Sequence, residues 1–144
     1  MGTQDRRSGT VRSVTAEQNS EYERSLLQTA LDAEKTIEER RRLGQFSTPY
    51  GLAKEIIAYS LTFFDKDEKI RFLDPAFGTG AFYSALLEMC DKERIGSAVG
   101  IEIDPHYALP ATELWKDSGL EMKVSDFTRT DLKDEFNLLV CNPP

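Results

Sequence analysis

Ile70-Arg71-Phe72-Leu73-Asp74-Pro75-Ala76-Phe77-Gly78-Thr79-Gly80 is the stretch on which the fold turns. Ile70-Arg71-Phe72-Leu73 reads as a short strand, and Phe82, Leu86 and Met89 then recur at helical spacing. Between them Gly78 and Gly80 let the backbone turn sharply and approach a ligand closely. The helix that follows presents free N–H groups to the loop, which suits a carboxylate or phosphate. Asp74, at the strand end, is placed to accept a hydrogen bond from a ligand ammonium group. A plain strand-to-helix turn fits the same residues, because a lone Gly-x-Gly is a weak signal.

Downstream the pattern repeats. Ala98-Val99-Gly100-Ile101 reads as a second strand and runs into Glu102-Ile103-Asp104. An acid at such a strand end, about 20 residues beyond a glycine loop, binds ribose hydroxyls in dinucleotide-type folds. Glu102 holds that position and Asp104 lies one step further out; a surface acid is the alternative. A helix is expected near 107–117, with Pro110 tolerable only in its first turn. Met122-Lys123-Val124 is a third strand ending in Ser125-Asp126-Phe127. There a carboxylate can accept from an adenine amino group and an aromatic can cover the ring, unless Ser-Asp merely forms an Asx-type turn. A fourth strand, 136–141, runs into Asn142-Pro143-Pro144. The prolines cannot continue a ladder, which leaves the Asn142 side-chain amide and the Pro143 carbonyl as fixed acceptors. Strand–helix alternation of this kind means an α/β fold with a parallel sheet. We expect a Rossmann-like sheet ordered 3-2-1-4, helices on both faces, and strands 1 and 4 adjacent at the switch point. The glycine loop and Glu102 serve NAD as well as S-adenosylmethionine; Asn-Pro-Pro beside the loop favours the second.

Upstream, residues 1–14 are polar and expected to be disordered. Thr15 to Gln18 fits a capping box, and Tyr22, Leu26, Ala30, Ala33 and Ile37 follow at helical spacing. One amphipathic helix over 15–43 is expected, packed near the cofactor mouth and stopping before Gly44. Its end carries Arg40-Arg41-Arg42, which suits phosphate or simply a helix C-terminus. Thr48 is the expected N-cap of a next helix with Pro49 at its first position. Leu52, Ile56, Tyr59 and Phe63 are its apolar stripe.

The chain has 144 residues, 40 % apolar and 30 % charged, which are soluble-domain values. No apolar run approaches the ~20 residues of a membrane helix, and no secretory signal opens the chain, so an intracellular protein is the default. Cys90, Cys141 and His106 make neither a metal site nor a disulfide framework; no metal is expected. The net charge of −7 taken alone argues against a nucleic-acid partner.

Four segments, Asp74 to Gly80, Gly100-Ile101-Glu102-Ile103-Asp104, Ser125-Asp126-Phe127 and Asn142-Pro143-Pro144, resemble in order the cofactor and catalytic motifs of amino-group methyltransferases. Gly44-Gln45-Phe46-Ser47-Thr48-Pro49 resembles the additional cofactor motif of adenine-specific (N6) DNA methyltransferases of restriction–modification systems. The resemblance implies S-adenosyl-L-methionine as cofactor. Thr48 and Pro49 would lie near its methionine end, framed by Asp74, Pro75, Ala76, Phe77, Gly78 and Gly80. Glu102 with Ile103 would take the ribose, and Asp126 with Phe127 the adenine. Asn142, Pro143 and Pro144 would be the catalytic tripeptide, acting on an adenine flipped out of double-stranded DNA. By resemblance the protein works in the cytoplasm of a bacterial or archaeal cell. The family pattern adds an aromatic residue after Asn-Pro-Pro, whereas this sequence ends at Pro144. Residues 44–144 are therefore expected to be a partial cofactor-binding domain, inactive alone. Most DNA contacts would lie in a C-terminal part. Residues 136–141 would then offer an edge to a second copy or a partner. Methylation of an RNA base or a protein glutamine, and a non-enzymatic nucleotide-binding or assembly module, are the competing readings.

Overall fold

The computed structural model describes residues 16–133 and 135–143. The expected disorder of 1–14, the Thr15 cap and the position of Pro144 lie outside the described residues. Nine principal elements follow one another: α1 (Ala16–Ala33), α2 (Ile37–Arg42), α3 (Tyr50–Leu61), β1 (Ile70–Asp74), α4 (Ala81–Met89), β2 (Ile95–Glu102), α5 (Pro105–Trp115), β3 (Leu120–Val124) and β4 (Leu138–Leu139).

The strands form one sheet ordered β3-β2-β1-β4. Every neighbouring pair is parallel, with Asp74 opposite Gly100 and Glu102 opposite Val124. Parallel neighbours need crossovers, and α4 supplies the one from β1 to β2 and α5 the one from β2 to β3. The carboxyl ends of all four strands therefore lie along one edge of the sheet.

Both faces of the central strands are buried. Ile70, Phe72, Ala98 and Leu138 meet Ala53 and Ile57 of α3, Phe82 and Leu86 of α4, and Ala111 and Trp115 of α5. Leu73, Val99 and Ile101 point the other way and are covered by Leu132 and Phe136. Among the described residues the helices packed on the sheet thus occupy one face, not the two expected. The order 3-2-1 steps in a single direction, and two right-handed crossovers made in that direction fall on the same side.

The helices differ from the sequence reading in four ways. The single helix over 15–43 is two, divided at Thr36. Thr36 caps α2 by accepting from the Glu39 N–H, while the Glu39 side chain accepts from the Thr36 N–H. The expected stripe of α1 faces outward, with Tyr22 and Leu26 exposed and Arg24 and Leu31 buried. Pro49, not Thr48, is the N-cap of α3, and the buried positions are Ala53 and Ile57, while Leu52, Tyr59 and Phe63 are exposed. Pro105 takes the first turn of α5, so Pro110 lies inside that helix. β4 is also shorter than 136–141, although the Asn137 and Val140 N–H groups still donate to Arg71 and Leu73 carbonyls of β1.

Candidate functional site

Where the four strands end, the chain encloses a cavity of about 450 Å³. That lies within the roughly 300–1,000 Å³ of small-molecule sites. Asp74, Pro75, Ala76, Phe77 and Gly78 line it from the end of β1, Glu102 and Ile103 from β2, Asp126 and Phe127 after β3, and Asn142 and Pro143 after β4. Thr48, buried just before α3, joins them. Two expected residues are not in the lining. Pro49 is exposed at the start of α3, and Gly80 sits beneath the loop as the N-cap of α4.

The glycine loop is held in shape from below. Gly78 and Gly80 have φ of +56° and +93°, conformations that side chains rarely adopt. Phe77 is buried and lies across both Gly80 and Gly100. A Cβ at Gly80 would come within 2.5 Å of the Phe77 ring, and one at Gly100 within 2.4 Å. The Gly78 N–H donates to Glu102 Oε2 at 2.8 Å, and the Asp104 N–H to Glu102 Oε1 at 2.9 Å. Glu102 thus ties the loop to the end of β2 and still has lone pairs for a ligand. Asp104 is committed elsewhere: it accepts from the His106 N–H at the start of α5 and from Lys35 and Gln45.

Asp74 is 1 % exposed and accepts from the Ala76 N–H at 3.1 Å. Burial pushes its carboxyl up to about 7; the Ala76 bond opposes that shift and the nearby Glu102 charge adds to it. Asp126 is held low by the hydroxyl and N–H of Thr128. Burial raises the Cys141 thiol, and the Asp74 charge raises it further, so the cysteine in the cavity wall is a poor nucleophile. Asn142 Nδ2 makes a long bond of 3.4 Å to the Phe46 carbonyl, which leaves its side-chain oxygen as an acceptor. The three arginines of 40–42 lie in the last turn of α2, where Arg40 pairs with Asp32 at 3.2 Å.

Arg24 and Gln28 of α1 and Tyr107 of α5 line the cavity outside every motif of the sequence, and Phe46 and Thr79 line it from within two motifs that assigned them no role. Arg24 is 4 % exposed. Its Nε and Nη2 donate to the two carboxylate oxygens of Glu21, each at 2.7 Å, and Nη1 donates to Thr79 Oγ1 at 3.0 Å. Thr79 donates in turn to Gln28 Oε1, and Ser84 of α4 to Glu21. α1 therefore forms a wall of the cavity through polar side chains. No apolar periodicity marks that face; the signal lay in Glu21, Arg24 and Gln28 recurring three and four residues apart.

The sheet order and the strand-end cavity define a Rossmann-like α/β fold. The chain superposes on a proposed RNA methyltransferase from Pyrococcus horikoshii with a TM-score of 0.59 over 83 % of this chain and 59 % of that one, at 22 % identity, a likeness of fold alone. By sequence the chain is a relative of type II methyltransferases. It is 34 % identical over 120 residues to M.CvrRI of Paramecium bursaria Chlorella virus XZ-6E and 29 % identical over 110 residues to M.AccI of Acinetobacter calcoaceticus. These alignments take in 77 % and 76 % of this chain but only 29 % and 19 % of the relatives, so the chain spans under a third of their length. No family model matches it.

Proposed function

We propose that this chain is the cofactor-binding and amine-activating part of an S-adenosylmethionine-dependent DNA methyltransferase acting on the exocyclic N6 of adenine. The observation that carries the reading is convergence. The glycine loop, Glu102, Asp126-Phe127 and Asn142-Pro143 come from four separate strand ends and line one cavity.

The donor set fits the cofactor. Asp74, buried in the cavity wall, would accept from its ammonium group, Glu102 would accept from ribose hydroxyls, and Asp126 with Phe127 would take a purine edge and face. Bound there, S-adenosylmethionine supplies an electrophilic methyl group on sulfonium. The work of the chain is to align and polarise the acceptor. The N6 lone pair of adenine is delocalised into the ring and is a weak nucleophile. Hydrogen bonds from the amino group to the Asn142 side-chain oxygen and the Pro143 carbonyl favour a tetrahedral nitrogen with its lone pair directed outward. Oriented dipoles and alignment, without a covalent intermediate, are the catalytic means. Thr48 closes the side of the cavity nearest α3. Residues 44–144 act on this reading as one cofactor-binding unit with 15–43 as an N-terminal wall, and the double-stranded DNA is gripped largely by parts of the protein outside this chain.

The test is transfer of a labelled methyl group by the full-length protein to duplex DNA, structured RNA and a glutamine peptide in parallel. Label in N6-methyladenine of DNA is the expected result, abolished by Asn142→Ala. Label confined to RNA or peptide, or DNA labelling that Asn142→Ala leaves intact, would overturn it.

A further inference from the structure

The geometry points to Arg24 of α1 as a ligand-binding residue: its guanidinium receives the carboxylate of the amino-acid moiety whose ammonium group faces Asp74. The inference rests on the cofactor reading above and names a contact that none of the sequence motifs contains. It starts from valence. A guanidinium carries five N–H donors. Three of them are engaged, two by Glu21 and one by Thr79. One N–H on Nη1 and one on Nη2 have no partner among the described residues, although Arg24 is 4 % exposed and lines the cavity. Buried guanidinium donors left unused are costly. Two spare donors on neighbouring nitrogens of one guanidinium suit an anion with two adjacent oxygens.

Charge supports the same assignment. Glu21 neutralises Arg24 within α1 but also holds the guanidinium plane in place through two bonds. Arg24 is thus pre-oriented, and ordering it costs a ligand little entropy. Arg24 also bonds to Thr79, between the two glycines of the loop, while Asp74 begins that loop. A buried cation and a buried carboxylate therefore flank the same segment of the cavity. An α-amino acid presents that pair of complementary charges on one carbon. The other lining groups, Glu102 and Asp126, are acidic and would repel a carboxylate. α1 thereby becomes part of the binding site, and Glu21, Ser84 and Gln28 become positioning residues that act through Arg24 and Thr79.

The experiment is calorimetric titration of this chain with S-adenosylhomocysteine, its decarboxylated counterpart and 5′-methylthioadenosine, on the native sequence, Arg24→Gln and Arg24→Lys. Native protein should bind S-adenosylhomocysteine about 10- to 100-fold more tightly than the decarboxylated compound, the scale of a charge-assisted hydrogen bond. Arg24→Gln should collapse that ratio towards unity, and Arg24→Lys should restore part of it. A native protein indifferent to the carboxylate overturns the assignment without any variant, even should Arg24→Gln fail to fold. A ratio that survives in folded Arg24→Gln overturns it equally. Binding of none of the three compounds sinks the cofactor reading itself, which separates that failure from this one.

Discussion

Asp74 joins two features that oppose each other: it is buried, and its proposed partner is a cation that needs it charged. Burial pushes the carboxyl from an ordinary 3.8 up to about 7. The folded state then binds this proton more tightly than the unfolded chain, so the group's contribution to stability falls as pH rises from about 4 to 7. Asp74→Asn should remove that fall, read as the difference between variant and native urea melts at pH 4.5 and 7.5. The difference is the right readout because Glu88, Asp104 and Asp126 are held low and lose stability in the opposite direction, as pH drops. Affinity for S-adenosylmethionine should climb with pH up to about 7 and then level off. A flat pH profile of binding would mean that no ammonium group meets Asp74. The place of Asp74 and Glu102 in the cavity wall was legible because a carboxylate at a strand end beside a glycine loop faces the strand-end crevice. That Glu102 also clamps Gly78 was not legible, since a loop's path cannot be read from spacing. Arg24 was hidden for a related reason: a buried charge looks like a surface charge until its partners are known.

At the level of elements, spacing misled where a helix packs on polar ground. α1 sets Glu21, Arg24 and Gln28 against Thr79 and Ser84, so its inward face is hydrophilic and its outward face carries Tyr22 and Leu26. The break between α1 and α2 was written in Thr36-Ile37-Glu38-Glu39, a Thr-x-x-Glu capping box. Apolar spacing through Ile37 masked it. Thr36→Ala should destabilise the chain by about 1 kcal/mol, checked by chemical melts. No loss would mean that 34–36 tolerates a continuous helix. In α3 the stripe was displaced by a single residue, because Ala53 and Ile57 are screened by α4 while the larger Tyr59 and Phe63 are not. The strands fared better: β1 and the second half of β2 carry nearly continuous apolar runs, as expected for strands buried on both faces, while β3 alternates Leu-Glu-Met-Lys-Val at the sheet edge.

For the molecule as a whole, the order 3-2-1-4 followed from strand–helix alternation, and the placement of Asn142-Pro143 near the loop followed from that order. What the alternation concealed is the asymmetry of the faces, with α3, α4 and α5 on one side and Leu132 and Phe136 on the other. Among the described residues β4 has one neighbour, β1, and Leu139 is 55 % exposed. Such an edge invites pairing. Sedimentation of this chain should show association that strengthens with concentration, and Leu139→Lys should weaken it. A monomer at every concentration would show that the edge is already protected. No helix among the described residues is long and apolar enough to cross a membrane.

The contact of Phe77 with Gly80 and Gly100 has an evolutionary consequence. Phe77 and Gly80 share one loop, but Gly100 lies on another strand and occupies the same volume, so positions 77 and 100 should drift together or not at all. Gly100→Ala places a methyl group 2.4 Å from the Phe77 ring and should destabilise by about 1–3 kcal/mol. Combined with Phe77→Leu, the same alanine should be tolerated better, with the double variant melting above the sum of the two single losses. Strict additivity in those melts would mean that each site is free to mutate alone. A lineage that acquires a side chain at position 100 therefore has to give ground at position 77, and also at Met122, whose Sδ would lie 2.8 Å from the new methyl group.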